Sequence, residues 1–170
     1  METKVTGYID YMSTSEAGPP VRWLTPGEER AWRAYRRMVI AVQTRTAQDL
    51  AAHGLSEPDY EVLSTLSESA DGTSTLREQA AKMGWSRSRL SRHATRMEAR
   101  GLIRRAPDPA DGRGCFLVLT TTGWETLREA APSHVASVRQ HFVERLDAAE
   151  LEALGRIAEK IAGGGGPSSL

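Results

Sequence analysis

Two short stretches of this sequence repeat one apolar spacing across a three-residue gap, and that constrains the fold more than any other feature. Leu76, Ala80 and Met83 stand at i, i+4 and i+7; Leu90, Ala94 and Met97 repeat the spacing, with Gly84-Trp85-Ser86 between the two sets. On an α-helix such positions share one face. Two short helices, each apolar on one side and joined by a turn too tight to part them, must pack across each other. The pattern predicts a helix-turn-helix. Ser86 is placed to cap the second helix, and Trp85 before it to pack on Leu90 as a hydrophobic staple.

Advancing 100° per residue from the apolar stripe of the second helix puts Ser88, Arg92 and Thr95 on the opposite face, flanked by Arg89, Ser91 and Arg96, with Arg87 at the helix start. That face carries arginines and hydroxyls and no acid. Arginine can grip guanine O6 and N7 with both arms, and serine or threonine can serve bases or phosphates. The whole chain is neutral, with 22 basic and 22 acidic residues, but the balance is uneven. Between Arg77 and Arg113 ten basic residues face four acids, so this segment is +6 and the remainder −6. A basic block that coincides with a docking element is the electrostatic footprint of a phosphate-binding surface.

After Gly101 the sequence reads strand, tip, strand: Leu102-Ile103-Arg104-Arg105, then residues 106–114, then Cys115-Phe116-Leu117-Val118-Leu119. The tip is longer than the two to five residues that close a plain hairpin. Its single base, Arg113, lies between two glycines, and an arginine at the tip of a wing suits the electronegative minor groove.

Outside this segment, helix starts are legible from capping chemistry. Thr25-Pro26-Gly27-Glu28, Ser56-Glu57-Pro58-Asp59, Thr75-Leu76-Arg77-Glu78 and Asp147-Ala148-Ala149-Glu150 each set an acid three residues after a capping oxygen. A mostly helical protein follows. The first helix is predicted over 26–52, with Trp32, Tyr35, Val39, Val42 and Leu50 on one side. Another runs near 124–146, where Pro132 predicts a kink or a break, and the last covers 148–161 with Leu151, Leu154, Ile157 and Ile161. The long terminal stripes either fill a monomer core or pair into a dimerisation layer.

The exclusions are equally direct. One cysteine rules out an internal disulfide framework and the cysteine sets of zinc ribbons or iron–sulfur clusters. No apolar run approaches the roughly 18 residues of a membrane span, which predicts a soluble, cytoplasmic protein with no membrane partner. His53, His93, His134 and His141 have no clustered acids at ligand spacing, Cys115 starts a strand as a packed thiol, and no nucleophile and base motif or phosphate loop is present. The chain asks for no metal and no cofactor, and it does not read as an enzyme.

On Leu76-Arg77-Glu78-Gln79-Ala80-Ala81, Met97-Glu98-Ala99-Arg100-Gly101-Leu102-Ile103-Arg104-Arg105, Asp108-Pro109-Ala110-Asp111-Gly112-Arg113-Gly114 and Leu119-Thr120-Thr121-Thr122-Gly123, the chain resembles the MarR family of winged-helix regulators. The resemblance implies a mostly α fold of α+β type over 24–161. It comprises a winged helix-turn-helix at about 56–120, dimerisation helices at about 26–52 and 122–161, a two-stranded wing, and flexible ends at 1–23 and 162–170. It further implies a homodimer on a pseudo-palindromic double-stranded operator, with Asp111 orienting Arg113 through a charge-assisted contact. A small anionic aromatic effector is implied too, for which Trp32, Tyr35, Arg36 and Tyr60 are the candidate pocket residues. The sequence leaves open a winged helix that contacts protein or binds DNA without sequence preference. It also leaves open an enzyme carrying a winged helix as an appendage, although only two helices follow Gly123.

Overall fold

A computed structural model of the chain describes residues 21–108 and 114–163. The chain divides into two units, 1–37 and 38–170. In the first, Thr25 and Glu28 form the expected capping box that opens helix α1 (Pro26–Ala51), and Glu29 pairs with Arg33 one turn on. Trp32 and Tyr35 are exposed there and stack on each other with ring centroids 5.7 Å apart.

The second unit holds the rest of α1, then α2 (Glu57–Ser67), β1 (Thr73–Thr75), α3 (Leu76–Lys82), α4 (Arg87–Ala99), β2 (Ile103–Pro107), β3 (Cys115–Leu119), α5 (Thr121–His141), a single 3-10 turn (Val143–Arg145) and α6 (Ala148–Ala162). The boxes at Ser56, Thr75 and Asp147 form with both reciprocal bonds. Ser86 caps α4 by accepting from the Arg89 N–H, as its position predicts. The helix-turn-helix core is the double stripe: Ala80, Leu90, Ala94 and Met97 are buried and pack with Leu63, Leu66 and Ile103. Between α3 and α4 the chain reverses at Gly84, whose φ of 62° is a left-handed conformation that a side chain would strain. The N–H groups of Gly84 and Trp85 close back on Ala81 and Ala80, tying off α3.

Two features differ from the sequence reading. The two-stranded wing forms from β2 and β3, but a third strand that the sequence did not announce extends it to a sheet in the antiparallel order β1-β3-β2. β1 is the short run Thr-Ser-Thr, which has no apolar alternation to announce it, and Thr75 both pairs with Phe116 and caps α3. α5 runs unbroken through Pro132, and the chain turns only at Phe142. Pro132 and Arg128, whose carbonyl loses its donor, both lie on the exposed side, where water can replace the missing bond.

Thr120 is a second junction. Its hydroxyl lies within hydrogen-bond reach of the carbonyl oxygens of Gly101 and Leu102 and accepts from the Gly123 N–H, so the end of α4, the start of β2 and the start of α5 converge on one side chain. The approach is tight enough that a Cβ on Gly123 would stand 2.0 Å from the Leu102 carbonyl oxygen, inside any permissible contact. Gly123→Ala must therefore shift backbone, and denaturant titration should show a loss of about 2–3 kcal/mol, the scale of an overpacked core.

Asp59 is the third junction and the one with charge. Its carboxylate is 6% exposed, accepts from Ser56 at the start of α2, accepts from the Arg100 guanidinium at 2.8 Å, and lies 3.0 Å from Nε2 of His93, which is 9% exposed. The His93 contact is electrostatic rather than a well-aligned hydrogen bond. Burial by itself would raise the Asp59 carboxyl, but the Ser56 and Arg100 bonds outweigh it and hold it below its ordinary 3.8. Burial pushes His93 below its ordinary 6.5; Asp59 opposes the shift, and Arg96 and Arg100 reinforce it. His134 is shifted the same way by burial, against Glu57.

For each of these groups the unfolded chain takes up a proton more readily than the folded one, so acid favours unfolding. Melting temperature should hold above about pH 6.5, decline below it as the histidines charge, and decline again below about pH 3.8 as Asp59 is neutralised. Asp59→Asn should remove its share of the lower step and destabilise the protein at pH 7 by about 1–3 kcal/mol. A melting temperature unchanged between pH 7 and 5 would contradict the histidine assignment.

Candidate nucleic-acid interface

α4 presents the face that its spacing predicts. Leu90, His93, Ala94 and Met97 point inward, while Arg87, Ser88, Arg89, Arg92, Thr95 and Arg96 are exposed and Ser91 is half-buried. His93 therefore widens the buried face beyond the apolar stripe. Leu76, Arg87, Ser88, Ser91 and Arg92 line a shallow hollow at the junction of α3 and the start of α4. A second hollow between α3, α4 and the base of the wing is lined by both Arg77 and Arg87, and also by Asp108 and the half-buried Cys115. Arg77 is a cation of this surface that a reading centred on α4 leaves out; its place in the acid-poor segment is the signal for it.

The cations of the basic block divide into two sets. Lys82 pairs with Glu68, Arg100 with Asp59 and Arg105 with Glu98, so these three hold the fold together. Arg105 also donates to the Ser91 carbonyl at 2.7 Å and to the Thr95 hydroxyl at 3.1 Å, which fastens the wing strand β2 to the middle of α4. Thr95 in turn donates to the Ser91 carbonyl, so its hydroxyl is engaged on both sides. The other set lies on the surface. The Arg89 guanidinium sits 3.8 Å above the Trp85 ring, and Arg96 contacts Nδ1 of His93 at 2.8 Å and the Arg92 carbonyl at 3.3 Å. Trp85, read from the sequence as a staple on Leu90, packs against the core edge-on to His93.

Arg113 and Asp111 lie outside the described residues; the strands that carry them, β2 and β3, pair in register from Ile103 with Leu119 to Pro107 with Cys115. Of the four aromatic and cationic residues considered for an effector, Trp32, Tyr35 and Arg36 are exposed on the first turns of α1. Tyr60 is half-buried on α2 and lies against His134, ring centroids 4.2 Å apart and planes tilted by 37°, in a cleft that Gln43, Glu57 and Glu61 also line. Among the described residues no three His, Cys, Asp or Glu side chains are grouped to hold a metal ion, and no helix is long and apolar enough to cross a membrane.

Known proteins share this arrangement. The MarR family model matches residues 53–114, which run from the turn before α2 to the residue before β3. Transcriptional regulator HosA of Escherichia coli O111:H- is 33% identical over 107 residues, 63% of this chain and 77% of HosA. Among solved structures, AbsC of Streptomyces coelicolor, a MarR family transcriptional regulator, is 42% identical with a TM-score of 0.79, over 84% of this chain and 96% of AbsC. Sco3205 of the same organism, a MarR family transcriptional regulator solved in complex with DNA, is 36% identical with a TM-score of 0.82, over 88% of this chain and 95% of its own. Sequence and fold agree over nearly the whole length of AbsC and Sco3205, and this chain belongs to the MarR family, whose members are transcriptional regulators and not enzymes.

Proposed function

We propose that this regulator binds double-stranded DNA as a homodimer in the cytoplasm, laying α4 of each protomer into a major groove of a pseudo-palindromic operator. The observation that carries the reading is the acid-free exposed face of α4, with Arg87, Ser88, Arg89, Arg92 and Arg96 outward on a helix anchored to its neighbours by its opposite side. The relative solved on DNA supports the same use of the fold. Arg92 is central to that face and its guanidinium makes no bond among the described residues, which fits a side chain that reads base edges. Arg113 at the wing tip, supported by Asp111, is assigned to the minor groove alongside.

A dimer is part of the reading because one helix-turn-helix covers one half-site, and two-fold partners read two, roughly 34 Å apart. α6 supports it: Leu151 and Leu154 are half-buried, Ile157 and Ile161 are 54% and 75% exposed, and no residue of this amphipathic helix is buried within the chain. Val135 on α5 and Ile40 on α1 are likewise exposed. A dimer lying across a promoter blocks access to it, so repression is the regulatory sign proposed. A small anionic aromatic ligand would release the DNA by binding the free dimer more tightly than the bound one. The stacked Trp32 and Tyr35, beside Arg36, and separately Tyr60 are the aromatic surfaces offered for it.

A duplex enriched from random DNA by the purified chain provides the probe. Arg92→Ala should weaken binding to it by roughly 1–3 kcal/mol and relax the base preference. Equal losses on the enriched and unrelated duplexes would reduce Arg92 to a phosphate contact, and enrichment of no duplex would overturn the DNA-binding reading. Light scattering at micromolar concentration should give twice the chain mass, and Ile157→Glu with Ile161→Glu should shift the protein towards monomer while leaving its helical content intact. A monomer that binds the enriched duplex with full affinity would remove the dimer from the reading.

A further inference from the structure

We infer that His93 is a positioning residue for two DNA-facing arginines of α4, setting Arg96 directly and Arg89 through Trp85. The inference rests on the DNA-binding reading above and goes beyond it, because His93 points into the core and would touch no DNA.

The geometry runs outward in two arms from one buried ring. On one side Nε2 lies 3.0 Å from the Asp59 carboxylate. On the other edge the Arg96 guanidinium stands 2.8 Å from Nδ1; a guanidinium only donates, so Nδ1 accepts and the ring proton lies on Nε2, towards the Asp59 carboxylate. A second Arg96 nitrogen reaches the Arg92 carbonyl, so the guanidinium is held against the helix at two points. On the other side the ring meets Trp85 edge to face, centroids 5.5 Å apart at 86°, and the free face of Trp85 carries Arg89. Arginine loses much rotamer freedom when it is fixed, and a side chain ordered before DNA arrives has already borne that loss.

The arrangement depends on an uncharged ring. A proton on Nδ1 turns the acceptor into a donor and sets two cations against each other, which expels Arg96. The charged groups facing the ring are Asp59 from α2 and Arg96 and Arg100 from α4; the flanking turn contributes the neutral Trp85. Two cations and burial oppose one carboxylate, and the ring stays neutral at pH 7. Acid should thus lower DNA affinity through this one residue, against the general gain in positive charge that strengthens binding.

The test is anisotropy of the enriched duplex from pH 5.5 to 8, with the wild type, Arg92→Ala, His93→Asn and His93→Leu as full-length dimers. Asparagine places an amide oxygen near the position of Nδ1 and does not titrate; leucine fills space and accepts nothing. At pH 7.5 His93→Leu should bind roughly three- to tenfold more weakly, the scale of one hydrogen bond, while His93→Asn recovers most of the affinity. The wild type should lose affinity towards pH 5.5 relative to His93→Asn, which cancels the contributions of the other histidines. His93→Leu binding as well as or better than wild type overturns the inference, since a tighter complex would mean that His93 restrains Arg96 from DNA. So do superimposable pH profiles of wild type and His93→Asn, which decide the matter even where the leucine variant fails to fold. Loss of binding in Arg92→Ala without loss in His93→Leu sinks this inference alone; no enriched duplex at all sinks it together with the DNA-binding reading.

Discussion

The buried carboxylate of Asp59 ties the start of one helix to the side of another. It is the N3 acid of the box that opens α2, and it is also the counter-charge for Arg100 and His93 on α4. A carboxylate with so little solvent is tolerable only when its lone pairs are filled, and here Ser56 and Arg100 supply directed bonds from two separate elements. Arg100 extends the tie by donating to the Gly54 carbonyl, in the turn where α1 ends. The orientation of α4 relative to α2 is thereby fixed by directional bonds, where apolar packing of Leu63 against Leu90 and Met97 would allow sliding by a fraction of a turn.

What was legible in the sequence was local. Capping boxes are written in four consecutive residues, and all four that the sequence displays form. The helix-turn-helix was legible because its two apolar stripes share one period, and the outward face of α4 follows from 100° per residue with the buried set already known. Less was legible wherever partners are distant in sequence. Nothing near Asp59 says that Arg100, 41 residues on, will claim it, and Ser56 alone already accounts for that acid as a capping residue. His93 was read as incidental because it has no ligand-spaced neighbours, yet it occupies a buried position next to the stripe. Arg105 looked like one more exposed cation of the basic block, but pairs with Glu98 and binds α4. β1 failed for a different reason: three polar residues carry no periodicity, and only the pairing with Val118, Leu117 and Phe116 makes them a strand.

The basic block shows how a charge count misleads unless each cation is followed to its partner. Lys82, Arg100 and Arg105 are structural, and the surface set is smaller and more ordered than the sum suggests. Arg89 and Arg96 are each held against a ring or its edge, whereas the Arg92 guanidinium makes no bond among the described residues. A surface with both kinds presents a fixed frame beside adaptable fingers, and a discriminating contact can be exchanged without disturbing the helix that carries it.

The strand order β1-β3-β2 places the wing's returning strand in the middle of the sheet. On one edge β3 is paired to the strand whose last residue caps α3, and on the other to the strand that Arg105 rivets to α4. The wing thus has no hinge of its own at its base: tilting it would tear a helix cap and a half-buried ion pair at once. Helix, turn and wing root are bonded into a single block, with α5 joined to it at Thr120. On the function proposed, a signal that releases DNA would have to act on the separation of whole blocks. The sensing end could then be remodelled freely without retuning the reading end, as a caliper keeps its jaws while its screw is replaced.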